Sequence, residues 1–184
     1  MKTLLSVYLL LFSSLLFSSL LIAAGTQVEL VKVEDADTLV VKLDGREDRI
    51  QLLGMDAPED TQNPKLKVDM ARTGLTAGEL LPLGHEATEY LRALVKPGDM
   101  LLLSGDLKKR DRYGRIGAEV TMTNGLSINT TLVAAGYARP LKPETLPQEL
   151  RDRLQQAWLQ AREQKLGLWA SQPAAFQAWV KAQK

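Results

Sequence analysis

Three short β-rich runs, joined by tight connections, constrain the fold of this chain more than any other feature. They are VELVKV at 28–33, TLVVKL at 38–43 and RIQLLGM at 49–55. An Asp-Gly pair at Asp44 and Gly45 separates the second run from the third, and this dipeptide is typical of a two-residue hairpin turn. The sequence therefore predicts an antiparallel meander of three strands.

The remainder of the chain alternates further short elements with irregular sequence. Residues 60–84 contain prolines and glycines without a clean period, which predicts a long loop or a loop with a short helix. The other predicted elements are helices within 85–98, 127–136 and 147–169, strands at 99–105 and 115–122, and a short helix in the tail. Five short strands interrupted by a helix fit an α+β fold that is mainly a β barrel, a five-stranded Greek-key barrel of the OB-fold type.

Composition limits the classes of function. Hydrophobic residues make up 45% of the chain, enough for an ordinary core, and there is no cysteine, which excludes disulfides and thiolate metal sites. Lys2 is the only charged residue among the first 24, so the rest of the chain carries 22 acidic residues and as many basic ones. A domain with this balance does not bind nucleic acid by its overall charge, and any phosphate site depends on a few placed groups.

The first 25 residues combine one early lysine with a long apolar stretch and then small residues. This pattern predicts a signal peptide, or an N-terminal membrane anchor because the stretch approaches the length that spans a bilayer. Export to the periplasm or the medium is expected in the first case, and a tether through residues 3–24 in the second. The predicted organisation is 1–25 as this segment, 26–170 as the barrel domain and 171–184 as a tail.

Two acidic clusters lie where predicted strands end. Asp35, Asp37 and Thr38 stand in the first connection, and Asp56 and Glu59 follow the third strand. Adjacent strands bring both groups to one rim, and oxygen ligands without His or Cys favour a hard cation such as Ca²⁺ or Mg²⁺. Two carboxylates leave positions for water and a substrate phosphate, as metal-assisted phosphodiester cleavage requires. The alternative is that aspartates stand here because they form good turns.

A basic turn, DRYGR at 111–115, is the third feature with chemical potential. Arg115 opens a predicted strand, and a guanidinium holds phosphate through two parallel hydrogen bonds. Tyr113 offers an aromatic face on which a base can stack. The alternative is an ordinary solvated turn.

Five motifs in order now resemble one known family. DADT, LLGMDAPE, DRYGR, AAGYA and LGLW, between about residues 28 and 170, are similar to the thermonuclease family of staphylococcal nuclease-like domains. The resemblance implies a five-stranded barrel with three helices and Ca²⁺ dependence. It also implies hydrolysis of DNA and RNA to products with 3′-phosphates, without an obligate protein partner.

The resemblance also implies which residues hold the metal. By position, Asp37 and Asp56 are the direct calcium carboxylates, and the backbone carbonyl of Ala57 is a further ligand. Asp35 and Thr38 lie behind them and support them.

The implied catalytic residues include one departure from the family pattern. Glu59 acts as general base or positions the attacking water, and Arg115 contacts the scissile phosphate. The second phosphate-binding arginine of the family is replaced by Gln51, which donates a hydrogen bond without a charge. Arg49, two residues earlier on the same strand face, compensates only if it reaches back or if a bulge shifts the register.

Three functions remain open from the sequence. The first is a calcium-dependent nuclease with low sequence specificity, and its substrate is DNA, RNA or both. The second is a catalytically weakened nucleic-acid-binding module of the same fold, because of Gln51. The third is a tethered structural or partner-binding domain with vestigial acidic loops.

Overall fold

The computed structural model describes residues 25–141 and 145–182. The signal-or-anchor prediction falls on residues 1–24, outside the described part, and it stays a prediction. Among the helices of the described part, none is both long and apolar enough to cross a membrane.

A closed five-stranded barrel forms the centre of the domain. Its strands are β1 (Thr26–Asp35), β2 (Thr38–Leu43), β3 (Arg46–Leu52), β5 (Met100–Ser104) and β6 (Ile116–Met122). The barrel order is β1-β2-β3-β6-β5, with a parallel pairing between β3 and β6 and antiparallel pairings elsewhere. The predicted α+β barrel fold of the OB type is therefore confirmed.

The hairpin between β2 and β3 confirms the predicted turn. Asp44 and Gly45 both have positive φ, 50° and 78°, as a primed two-residue turn requires. The ladder runs without a shift from Leu43 opposite Arg46 to Thr38 opposite Gln51. The turn thus sets the register that brings Gln51 beside the acidic connection.

The predicted third strand is wrong at its end. It does not continue to residue 55, because Gly54 turns the chain with φ 80°. A Cβ at Gly54 would lie 2.7 Å from a methyl of Leu146 and 2.9 Å from a methyl of Leu154, so a side chain here would require those leucines to shift. Residues Met55–Asp56 form a separate short strand, β4, which pairs with β7 (Arg139–Pro140).

Residues 60–84 are largely helical, which corrects the predicted long loop. Helix α1 spans Pro64–Thr73, and α2 spans Ala77–Leu94. Asn63 caps α1, since its side-chain oxygen accepts from the backbone of Leu66 at 2.8 Å. The prediction of a loop with one short helix therefore missed that the second helix begins well before residue 85.

The other helices cover the barrel and build a second core. They are α3 (Ile128–Ala134), α4 (Gln148–Glu163), α5 (Leu168–Ser171) and α6 (Pro173–Ala182), so the described part has six helices rather than the three implied. Phe176 and Trp179 of α6 are buried against Leu66 of α1 and Leu80 and Leu83 of α2. Helix α1 therefore packs against both α2 and α6.

Candidate functional site

The acidic connection between β1 and β2 lies against the segment that follows β4. The backbone N–H of Ala57 donates to Asp37 Oδ2 at 3.3 Å, which joins the two clusters across the rim. Thr38 Oγ1 donates to Asp37 Oδ1 at 3.1 Å, and Asp35 Oδ1 accepts from the backbone of Asp37 at 3.0 Å. The contacts from Ala57 and Thr38 orient the Asp37 carboxylate, and the contact to Asp35 positions the Asp37 backbone.

Asp35 is an acidic residue of this rim whose pKa is raised. Burial raises its pKa to about 7, and the charge of neighbouring Asp37 adds to the effect. A share of Asp35 is therefore protonated at neutral pH, which reduces repulsion within the cluster.

Lys65, which the sequence reasoning did not select, inserts its ammonium among the acidic residues. Nζ lies 3.0 Å from Asp56 Oδ1 and 3.1 Å from the carbonyl oxygen of Ala57, and it also contacts Glu59 Oε1. Burial lowers the pKa of Lys65, but the charges of Asp56 and Glu59 outweigh burial and raise the pKa above its ordinary value. Lys65 therefore stays protonated and brings a positive charge to the site.

Arg139 is a second cation that the sequence reasoning missed. Nη2 lies 2.7 Å from Asp56 Oδ2, so Asp56 is held from one side by Lys65 and from the other by Arg139. The guanidinium also lies 5.3 Å from the ring centre of Trp179 in α6, and Trp179 Nε1 donates to buried Asp69 of α1 at 3.0 Å. The contact between Arg139 and Asp56 results from the β4–β7 pairing, in which these two residues lie opposite each other. No short motif in the sequence indicates this pairing.

Arg115 approaches the rim from the basic turn. Its Nε bonds to Asp111 Oδ2 at 2.8 Å, and its Nη1 lies 3.4 Å from Thr38 Oγ1. Although burial acts in the opposite direction, hydrogen bonds from Arg115 and Tyr113 hold the pKa of Asp111 below its ordinary value. The structure thus links Arg115 to the Asp37 cluster through Thr38.

Tyr113 stands outside the rim with an accessible ring. Its residue is 59% exposed, and the guanidinium groups of Arg112 and Arg115 lie 4.8 Å and 5.2 Å from its ring centre. The turn therefore combines an exposed aromatic ring with two nearby guanidinium groups, a combination suited to a base and its phosphates.

Gln51 lies in the β2–β3 ladder opposite Thr38. Its Oε1 is buried and finds no hydrogen-bond partner within the described residues. Arg49 forms a two-pronged ion pair with Glu34. Because the β2–β3 register is also regular, neither route of compensation predicted for Arg49 is present in this structure.

The loop that carries Glu59 is held by α2. Thr88 donates to Asp60 Oδ2 at 2.9 Å, and Gly84 lets the helix backbone approach the loop. A Cβ built on Gly84 would lie 2.1 Å from the carbonyl oxygen of Glu59 and 2.5 Å from the backbone nitrogen of Asp60. Asp60 is thus an anchor of the loop, while Glu59 faces the rim, where Asn63 and Lys65 donate to its two oxygens.

The donor set has the chemistry of a site for a hard cation. Within the described residues, no three His, Cys, Asp or Glu side chains converge on one ion position. Oxygens of Asp56, Ala57 and Glu59 nevertheless converge on a single positive charge, the Lys65 ammonium. An oxygen set that accepts one cation in this way fits Ca²⁺ or Mg²⁺, and Asp37 adjoins it through Ala57.

Comparison with known proteins gives a consistent picture. The sequence model described as Staphylococcal nuclease homologue matches residues 49–171. The chain is 30% identical over 159 residues to an uncharacterized endonuclease of Escherichia coli, covering 84% of each protein. It is 29% identical to the thermonuclease of Staphylococcus hyicus, covering 78% of this chain and 75% of that one. A match to Endonuclease YhcR of Bacillus subtilis, at 31% identity, spans 58% of this chain but 8% of that longer protein.

Proposed function

Because the chain belongs to the staphylococcal nuclease homologue family, we propose that it is a calcium-dependent nuclease that hydrolyses phosphodiester bonds of DNA or RNA with low sequence specificity. The family and the names of the relatives support nuclease activity, and the calcium dependence and the mechanism are our proposal. One observation carries it: oxygens of Asp56, Ala57 and Glu59 surround one cation, and Arg115 reaches the same rim through Thr38.

The residues divide the work in a simple way. Asp37, Asp56 and the Ala57 carbonyl hold the ion, which when bound polarises the phosphoryl oxygen and favours deprotonation of water. Glu59 accepts a proton from the attacking water or orients it, since it lies beside these ligands. Arg115 donates two parallel hydrogen bonds to the phosphate and stabilises the charge that grows on its oxygens.

Substrate binding follows from the basic turn. Tyr113 stacks against a base, which favours unpaired strands whose bases are accessible. The contacts that we assign go to phosphate and to a ring face rather than to base edges, and such contacts carry little sequence information.

The direct test is digestion of single-stranded DNA and RNA with Ca²⁺ and with a chelator. We expect cleavage with Ca²⁺ and its loss in chelator. Protein with Glu59→Gln, prepared identically, reports any contaminating nuclease. Equal degradation in the two conditions, above that background, would reject calcium dependence.

Gln51 favours a second candidate function, a binding module with weakened catalysis. Its side chain is uncharged, its Oε1 has no hydrogen-bond partner within the described residues, and it stands where the family has a phosphate-binding arginine. We expect Gln51→Arg to raise the cleavage rate about tenfold, because a charged donor stabilises the transition state better than an amide. Initial rates on a labelled oligonucleotide measure this.

Gln51→Lys is the matched control for the change at position 51. It adds the charge without the planar fork, so a smaller gain is expected. A fall in rate for Gln51→Arg would mean that another residue already supplies the second contact. Oligonucleotide binding without cleavage in wild type and both variants would favour the binding module.

Export remains a separate proposal that rests on residues 1–25 alone. We propose that the domain acts outside the cytoplasm, released after cleavage near residue 25 or tethered through residues 3–24. The mass of the mature protein distinguishes the two, since only cleavage removes the apolar segment.

A further inference from the structure

The Lys65 ammonium occupies the position that the proposed metal needs. Its hydrogen-bond acceptors are Asp56 Oδ1, the Ala57 carbonyl and Glu59, and two of these are proposed metal ligands. An ammonium donates to carboxylate and carbonyl oxygens, and calcium coordinates the same atoms. The two cations therefore compete for one set of oxygens.

The first turn of α1 determines where the backbone of Lys65 lies. Asn63 caps the helix and also donates to Glu59, and Pro64 occupies the first helical position. Buried Leu66 anchors the same turn in the second core. Lys65 therefore starts from a backbone fixed relative to the Glu59 loop.

Helix stability does not account for a lysine at this position. The first turn of a helix favours negative charge, and a cation there is unfavourable to the helix dipole. In α1 the first turn has no acidic residue, and within the described residues the carboxylates that pair with Lys65 are those of Asp56 and Glu59. The lysine is thus matched to the site and not to its own helix.

Lys65 also has a route out. Its side chain is 41% exposed, whereas those of Asp56 and Glu59 are 11% and 13% exposed. A flexible four-carbon stem can swing to solvent while the acidic residues stay in place. With Lys65 inside, both oxygens of Glu59 are engaged by Lys65 and Asn63.

We propose that Lys65 is an internal competitor for the metal site, which raises the calcium concentration that the protein needs and keeps Glu59 engaged until the ion binds. This inference rests on the proposed function in one respect, the choice of calcium as the ion. Each binding event must first release Lys65, so the apparent affinity equals the intrinsic affinity multiplied by the fraction of molecules in which the site is open.

Calcium affinity of Lys65→Met, measured by titration calorimetry on the full domain, is the test. We expect this variant to bind calcium about tenfold to a hundredfold more tightly than the wild type. A gain of this size corresponds to a wild-type site that Lys65 occupies in roughly 90–99% of the molecules. Lys67→Met removes the same charge from an exposed position on the same helix and is the matched control, expected near wild type. Lys65→Gln, which keeps a donor for the Ala57 carbonyl, serves if the methionine variant does not fold.

The outcomes separate this inference from the proposed function. Calcium binding that is tighter in Lys65→Met but not in Lys67→Met supports competition, whether or not any variant cleaves nucleic acid. If none of them cleaves nucleic acid, the proposed nuclease function is rejected and the competition is not. Equal gains in Lys65→Met and Lys67→Met indicate a general charge effect and overturn competition, as does unchanged affinity in the Lys65 variants. A third outcome is that the wild type cleaves nucleic acid in chelator and Lys65→Met does not. Lys65 would then act in place of the metal, which also overturns competition.

Discussion

Replacing Gly84 with alanine is expected to lower the free energy of unfolding by about 3 kcal/mol, the upper part of the range for overpacking a core. The new methyl would meet the carbonyl oxygen of Glu59 at 2.1 Å and its carbonyl carbon at 2.2 Å. These are backbone atoms and cannot rotate away, so the loop or the helix must move. Thermal denaturation should show a decrease of roughly 6–12 °C at about 2–4 °C per kcal/mol.

Gly78→Ala is the matched control within the same helix. A Cβ there would meet only Thr76 Oγ1, at 3.8 Å, an ordinary contact. Alanine is the better helix former, so this variant should be neutral or more stable by about 0.4–1 kcal/mol. If Gly84→Ala melted at the wild-type temperature, the close approach of α2 to the Glu59 loop would be wrong.

The same change at Gly84 should also lower turnover. The displaced atoms belong to Glu59 itself, and a shift of about 1 Å in a catalytic group can cost a hundredfold in rate. Rates on a labelled oligonucleotide, measured well below the melting temperature, separate this effect from unfolding.

Replacing Glu59 with glutamine is expected to reduce turnover by about a hundred- to ten-thousandfold, the range for removing a general acid or base. Glutamine keeps the size of the side chain and an acceptor for Lys65 or Asn63, but it cannot take a proton from water. Stability should change by about 1 kcal/mol or less, because the lost ion pair has a half-exposed partner. Turnover at saturating substrate and a thermal melt on the same preparation measure both quantities.

Glu89→Gln is the control for that substitution. Glu89 pairs with Arg92 on the surface of α2, and its side chain is 70% exposed. We expect neither turnover nor melting temperature to change. A Glu59→Gln variant that lost stability in proportion to turnover would argue for a structural role instead.

The strands of the barrel could be predicted because the sequence signals for them lie within short stretches of the chain. The β-rich runs and the Asp44–Gly45 turn fix strands and register within a few residues of sequence. The helices at 60–84 escaped because α1 buries only Leu66 and Asp69, which leaves little apolar period to detect. Their signals were the Asn63 cap with Pro64 and the terminal Gly74, a pattern typical of a helix's two ends.

The candidate site was predictable in part for the same reason. Asp37 and Asp56 stand in recognisable motifs, and the structure brings their segments together as adjacent strands require. Lys65 and Arg139 were missed because tertiary contacts set their partners: α1 places Lys65 beside Asp56, and the β4–β7 pairing places Arg139 there. The constraint on Gly84 was equally hidden, since it comes from a backbone distant in sequence.

The parallel pairing of β3 and β6 has a consequence for engineering. This pairing closes the barrel across the whole chain segment between Leu52 and Ile116. The entropic cost of closing such a segment rises only with the logarithm of its length, by about 0.6 kcal/mol for each doubling. Gly74, at the junction of α1 and α2, is exposed and has open space around its missing Cβ. A foreign module inserted at that junction would add little entropic cost to barrel closure, so the fold can carry an inserted module at the end of α1 farther from Lys65.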